Sequence, residues 1–90
     1  MDDSVLTGTV TDARSKQALG DVVVTVTSPA LQGEQVVVTD AQGLYRIPKL
    51  PAGSYTMRLA LHGYKPYSRG GIFLRNNATT RINVELLPQS

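Results

Sequence analysis

Hydrophobic and polar positions alternate with a period of two along most of the chain. Residues 5–11 read Val-Leu-Thr-Gly-Thr-Val-Thr and predict a first strand. Gly8 inside it predicts a bulge or a close backbone approach. Residues 12–20 are mostly polar with a single apolar pair, Ala18-Leu19, so they predict a connecting loop with Leu19 tucked beneath the fold. Residues 21–28 carry the densest β-branched run, Val22-Val23-Val24-Thr25-Val26-Thr27. Val22, Val24 and Val26 share the face assigned to the core, and Val23, Thr25 and Thr27 face out. Pro29 ends that strand because it cannot donate to a ladder. Residues 30–33 form a loop and residues 35–39 a third strand. Residues 44–47 form a fourth, stopped by Pro48. Residues 54–62 form the fifth, with Tyr55, Met57, Leu59 and Leu61 on one face and Thr56, Arg58, Ala60 and His62 on the other. Residues 63–71 bend the chain, 72–75 form a sixth strand, and 76–78 turn. Residues 80–87 form the last strand, with Ile82, Val84 and Leu86 inward and Pro88 as its stop. The predicted core is therefore Val22, Val24, Val26, Tyr55, Met57, Leu59, Ile82, Val84 and Leu86.

Two turns organise this pattern. Asp40 opens Asp-Ala-Gln-Gly and can cap the turn through its own carboxylate, while Gly43 supplies positive φ. Leu50-Pro51-Ala52-Gly53 is the second, with Pro51 fixing φ at the corner. Tyr45 and Tyr55 follow these turns at matching offsets and are expected to plug the ends of a sandwich core. No window carries helical periodicity free of strand-like alternation or Gly and Pro breaks. Short strands with turn signals every 8–12 residues or so predict an all-β sandwich.

Composition narrows the function classes. Ninety residues predict one domain, 1–90. Met1-Asp2-Asp3 resembles a start placed by cloning, which points to a domain excised from a larger protein, one whose own signal peptide stays open. Cysteine is absent, which removes disulfide frameworks and thiolate metal sites. The net charge of +2 is weak and the nine basic residues are scattered, which argues against nucleic acid. No apolar run approaches the ~18 residues that span a bilayer, so direct membrane insertion of this domain is not expected.

Five motifs fall in order along nearly the whole chain: Gly8-Thr9-Val10-Thr11-Asp12, the run 22–27, Thr39-Asp40-Ala41-Gln42-Gly43-Leu44-Tyr45, Leu50-Pro51-Ala52-Gly53-Ser54-Tyr55, and Gly63-Tyr64. Together they resemble the carboxypeptidase regulatory-like domain. Most of these motifs are turn chemistry on their own, and the five in register make the likeness specific. The resemblance implies a transthyretin (prealbumin)-like fold, a seven-stranded Greek-key β-sandwich. Such domains stand as non-catalytic appendages beside metallocarboxypeptidases and at the periplasmic N-terminus of TonB-dependent outer-membrane receptors. The run from Val22 to Pro29 followed by Gly33-Glu34-Gln35 is similar to the receptor-associated versions. The family brings no catalytic residues.

Candidate chemistry is thin. His62 is the single histidine, so any triad or imidazole metal site must use it, and strand alternation puts it on the outward face beside Arg58 and Thr56. The transthyretin-like hydroxyisourate hydrolases use several histidines and a C-terminal Tyr-Arg-Gly-Ser. Here Tyr67-Ser68-Arg69-Gly70 is a scrambled echo far from the C-terminus, which argues against that enzyme. Calcium needs six to eight converging oxygens, whereas Asp12, Asp21 and Asp40 flank separate turns and Asp2 and Asp3 lie at the start. A Lys–Asn isopeptide needs a buried Lys on the first strand, which has none, and Asn83 faces outward. Tryptophan is absent, so a sugar platform would have to use Tyr64 and Tyr67 with Arg69 near the glycine-rich bend.

These readings lead to a non-catalytic accessory or interaction module with no cofactor, located in the periplasm or outside the cell. Its partners would be other domains of the parent or a protein added at a sheet edge, with a weak homodimer as one form. The least protected edge is residues 35–39 around Val37, which hold no Pro or Lys. The alternative is a carbohydrate- or peptide-binding module using loop 64–71, with Tyr64, Tyr67 and Arg69, or an open edge.

Overall fold

The computed structural model describes residues 3–89. Eight strands run in chain order: β1 (Ser4–Asp12), β2 (Val23–Thr27), β3 (Glu34–Val38), β4 (Leu44–Leu50), β5 (Gly53–Ala60), β6 (Tyr67–Leu74), β7 (Thr79–Arg81) and β8 (Val84–Leu86). They form two sheets. Sheet one is ordered β4-β1-β7, with β8 also on β1, and sheet two is ordered β3-β2-β5-β6. The fold is the all-β, transthyretin-like Greek-key sandwich, with the seventh predicted strand divided into β7 and β8.

Inward residues of both sheets meet in one core. Every residue of the predicted core is buried, and Leu6, Val10, Tyr45, Ile47, Leu50, Ile72 and Leu74 complete it. At ~25 cal/mol per Å² of apolar area, these side chains are the main stabilising term in a chain without disulfides. The two tyrosines are buried as expected, each with its hydroxyl satisfied. Tyr45 Oη donates to the Ile82 carbonyl at 2.6 Å, and Tyr55 Oη donates to the Pro51 carbonyl at 2.6 Å. Asp40 caps its turn by accepting the Gln42 and Leu44 amides, both at 2.9 Å. Gly43 has φ 76°, and a Cβ there would sit 2.5 Å from the Val10 carbonyl oxygen, so the turn requires glycine twice over.

Four strand boundaries differ from the sequence reading by more than one residue. Strand β2 begins at Val23, because Asp21 takes φ 63° and breaks the ladder before it. Pro48 does not stop β4, which continues to Leu50. β4 is an edge strand, and its register shifts between Ser4↔Leu50 and Leu6↔Ile47, so Pro48 and Lys49 sit in a bulge where no donor is needed. The fifth strand ends at Ala60, which leaves Leu61 and His62 in the following turn. The supposed loop 64–71 is mostly strand. Tyr67, Ser68 and Arg69 pair with Leu59, Arg58 and Met57, and Gly70-Gly71 is a bulge opposite Thr56 instead of a bend.

The break between β7 and β8 has a visible cause. Gly8 is pressed so closely that an added Cβ would fall 1.8 Å from the Ile82 carbonyl oxygen. That carbonyl turns inward to Tyr45, away from the ladder. The Asn83 side-chain oxygen replaces it, accepting the Thr9 amide at 3.0 Å and the Thr9 hydroxyl at 3.1 Å. The close approach predicted at Gly8 is therefore real, and it divides the strand opposite.

Candidate surface on sheet two

Register assigns the outer face of sheet two residue by residue. Val23 pairs with Val38 on one side and Ala60 on the other, Thr25 with Val36 and Arg58, and Thr27 with Glu34 and Thr56. On β6 the same face carries Ser68 opposite Arg58 and Phe73 opposite Ser54. Four exposed large hydrophobics lie on this face: Val23 (39%), Val36 (50%), Val38 (54%) and Phe73 (69%). Three of them cluster at β2 and β3.

Two shallow grooves adjoin on this side. One, about 560 Å³, is lined by Asp21, Val23, Leu61, His62, Tyr64 and neighbours. The other, about 380 Å³, is lined by Thr25, Arg58, Tyr67, Ser68 and neighbours. Val23, Ala60 and Pro66 are common to both, so together they make a largely apolar trough.

The free edge belongs to β3. The Thr39 amide donates to the Val22 carbonyl at 3.0 Å, which makes Thr39 and Val22 a hydrogen-bonded pair. By alternation Val37 and Gln35 direct their backbone groups to β2, and Val38, Val36 and Glu34 direct theirs away from the sheet. The outer edge of β3 thus offers N–H and C=O groups at Glu34, Val36 and Val38, beside the exposed valine side chains of the last two.

The residues singled out from sequence fall in different places. Tyr64 is half-buried in the turn after β5, and its hydroxyl donates to Asp12 Oδ2 at 2.6 Å. That bond holds the Asp12 carboxyl below its ordinary value, with further help from the Ser15 and Arg14 amides, and raises the Tyr64 phenol. Tyr67 is half-buried against the core, opposite Leu59. Arg69 is exposed on β6, the other edge strand. The two tyrosines line different grooves, and neither lies open as a stacking surface. Val37 is on the edge strand but turned toward the core. The residues that form the apolar strip are its neighbours Val36 and Val38 with Val23. Their signal was present in the uninterrupted runs 22–24 and 36–38, where an apolar face has to remain on each side of the sheet.

His62 is exposed and shares the larger groove with Asp21, but no hydrogen bond or ion pair joins them among the described residues. Asp12 and Asp40 are occupied by backbone amides of their own turns. Among the described residues no group of three or more His, Cys, Asp or Glu side chains is placed to hold a metal ion. Asp2 lies outside the described residues. No helix among them is long and apolar enough to cross a membrane.

Comparison with known proteins agrees with this architecture. The chain is similar to a TonB-dependent transporter, Oar, of Myxococcus xanthus, with 62% identity over 87 residues; this is 97% of the chain and only 8% of that relative's length. Among solved structures it resembles the group B streptococcus pilus 2b backbone protein, with a TM-score of 0.77, 18% identity, and coverage of 96% of this chain and 41% of the other. It also resembles the 5-hydroxyisourate hydrolase of Klebsiella pneumoniae, with a TM-score of 0.69, 18% identity, and coverage of 97% and 92%. At these identities the two structures speak for the fold alone. The family model described as the carboxypeptidase regulatory-like domain matches residues 5–87, and the chain belongs to that family.

Proposed function

We propose that the chain is a non-catalytic module of a TonB-dependent outer-membrane transporter. It would be displayed on the periplasmic side and dock an extended protein segment onto the free edge of β3. The single observation that carries the docking is the row of outward backbone groups at Glu34, Val36 and Val38, bordered by the exposed valine strip. An added strand gains main-chain hydrogen bonds there and covers apolar side chains at alternate positions. The other edges are blunted: β4 carries the Pro48–Lys49 bulge, β6 the Gly70-Gly71 bulge with Arg69 beside it, and the opposite edge of sheet one is divided into β7 and β8, three residues each. The partner would be another segment of the parent transporter, and a weak homodimer is the same contact made with a second copy. Antiparallel β3–β3 pairing centred on Val36 places Glu34 opposite Val38, so no like charges meet.

Non-catalysis is supported by the membership in a regulatory-like family, and among the described residues no acid is bonded to His62. An apolar trough with half-buried tyrosines also favours a peptide over a sugar as the alternative ligand. Amide hydrogen exchange tests the docking. In the isolated domain Val36 and Val38 should exchange fast and Val37 slowly. In the full transporter Val36 and Val38 should become protected, and Val36→Lys should remove that protection. Equal exposure of both amides in the isolated domain and the transporter would overturn the reading. Val36→Lys is the sharper probe, because a lysine at Val37 would disturb the core side of the strand.

A further inference from the structure

The first and last strands of this sandwich are neighbours that run in the same direction. β1 pairs in parallel with β7 through Val5↔Thr79 and Thr7↔Arg81, and with β8 through Val10↔Val84 and Asp12↔Leu86. The residue offset is the same on both sides of the break, so β7 and β8 form one continuous ladder along β1. The chain therefore enters at one end of the ladder and leaves at the other. The molecule is drawn out accordingly, 42 Å long against 20 and 17 Å across.

That arrangement decides how the domain responds to tension. A pull on residues 3 and 89 draws β1 and the β7–β8 segment past each other along their own axes. Every bond between them is then loaded at once, from Val5 N–Ala78 O at 3.0 Å, through Ile82 N–Thr7 O at 2.8 Å, to Ala13 N–Leu86 O at 2.9 Å. The Asn83 side chain bridges the break by accepting the Thr9 amide at 3.0 Å, so no gap opens in the middle. Stepwise slippage is also blocked. A shift of one residue would turn Leu6 and Val10, or Ile82, Val84 and Leu86, from the core to water. β1 is further held on its other side by β4.

The exit from β8 is secured as well. Lys65 N donates to the Leu87 carbonyl at 2.8 Å, and Gln89 N donates to the Gly63 carbonyl at 2.9 Å. Tyr64, in that same clasp, reaches Asp12 at the end of β1 with its hydroxyl, at 2.6 Å. The departing chain is thus tied back to the strand against which it would be sheared.

We propose that the domain is a load-bearing link: it transmits tension between the segments preceding β1 and following β8 without unfolding, with the β1–β7–β8 ladder as its shear clamp. This does not depend on the docking reading. Single-molecule force spectroscopy tests it by comparing two pulling geometries. In the first, the isolated domain is held through residues 3 and 89. In the second, it is held through residue 3 and Asn76→Cys, in the exposed turn before β7. The chain has no cysteine, so that thiol is unique. The starts of β1 and β7 lie at the same end, and the second geometry peels the same bonds apart one after another. The unfolding force should be several-fold higher in the first geometry. Equal forces in the two would overturn the proposal. Asn83→Ala should lower the force in the first geometry and leave the second nearly unchanged. An equal loss in both would mean that the residue acts on stability alone, and would overturn the clamp at its centre.

Discussion

Thr39 shows how much one hydroxyl can hold in a small core. It is 3% exposed, donates to the Leu19 carbonyl at 2.7 Å and accepts the Val22 amide at 2.9 Å. Thr39→Val keeps the shape and strands both backbone partners. The loss should be about 1–3 kcal/mol, the cost of a buried group left unpaired, and a chemical-denaturation midpoint unchanged from wild type would contradict it. Tyr45 is a second case. Burial pushes its phenol up to about 12, so it stays a donor to the Ile82 carbonyl into the alkaline range, where an ordinary phenol has begun to ionise. The pKa is raised in the folded state, so the contribution is fully present below the ordinary value of 10.0 and is lost as pH climbs toward about 12. Tyr45→Phe should therefore flatten the fall in stability across that alkaline window. Parallel melting curves for the two proteins over the same window would show that Tyr45 ionisation plays no part.

Strands that alternate cleanly were legible, and those governed by their partners were not. Val24 and Val26 face Leu59 and Met57 across β2 and β5, and both sets, with the buried Val22, could be assigned to the core from spacing alone. Leu59→Ala removes a side chain that is 1% exposed and leaves a cavity in a core too small to absorb it. The expected cost is ~2–5 kcal/mol, read from the unfolding midpoint. By contrast, Pro48 and Gly70-Gly71 looked like stops because proline and glycine are local signals. Whether such a residue ends a strand or bulges it depends on whether it lies on an edge, and edge position is a property of the assembled sheet. The division at Asn83 was invisible for the same reason. It follows from Gly8, seventy-five positions away in sequence, letting the Ile82 carbonyl come close. The candidate surface was half legible: the edge strand was located correctly, but its open groups belong to Val36 and Val38, because side-chain direction on β3 depends on its pairing with β2.

For the molecule as a whole, the end of β1 and the exit of the chain meet at Asp12 and Tyr64. The Asp12 carboxylate accepts the Arg14 and Ser15 amides through Oδ1 and the Tyr64 hydroxyl through Oδ2, so one ionised group joins the end of β1 to the clasp around residues 87–89. The Tyr64 bond is the foremost cause of its lowered pKa, ahead of the two amides. With the folded pKa depressed, the stabilisation is present above the ordinary value of 3.8 and is lost as pH falls through the folded value. Tyr64→Phe removes the main cause, so the Asp12 pKa should move back up and the acid transition should shift to higher pH. The variant should also be less stable than wild type at neutral pH, with the difference shrinking once Asp12 is protonated in both. Thermal melts from neutral to strongly acidic pH would read this directly. A stability loss of the same size at every pH would mean that Tyr64 acts only by packing, and that the carboxylate does not couple β1 to the chain exit.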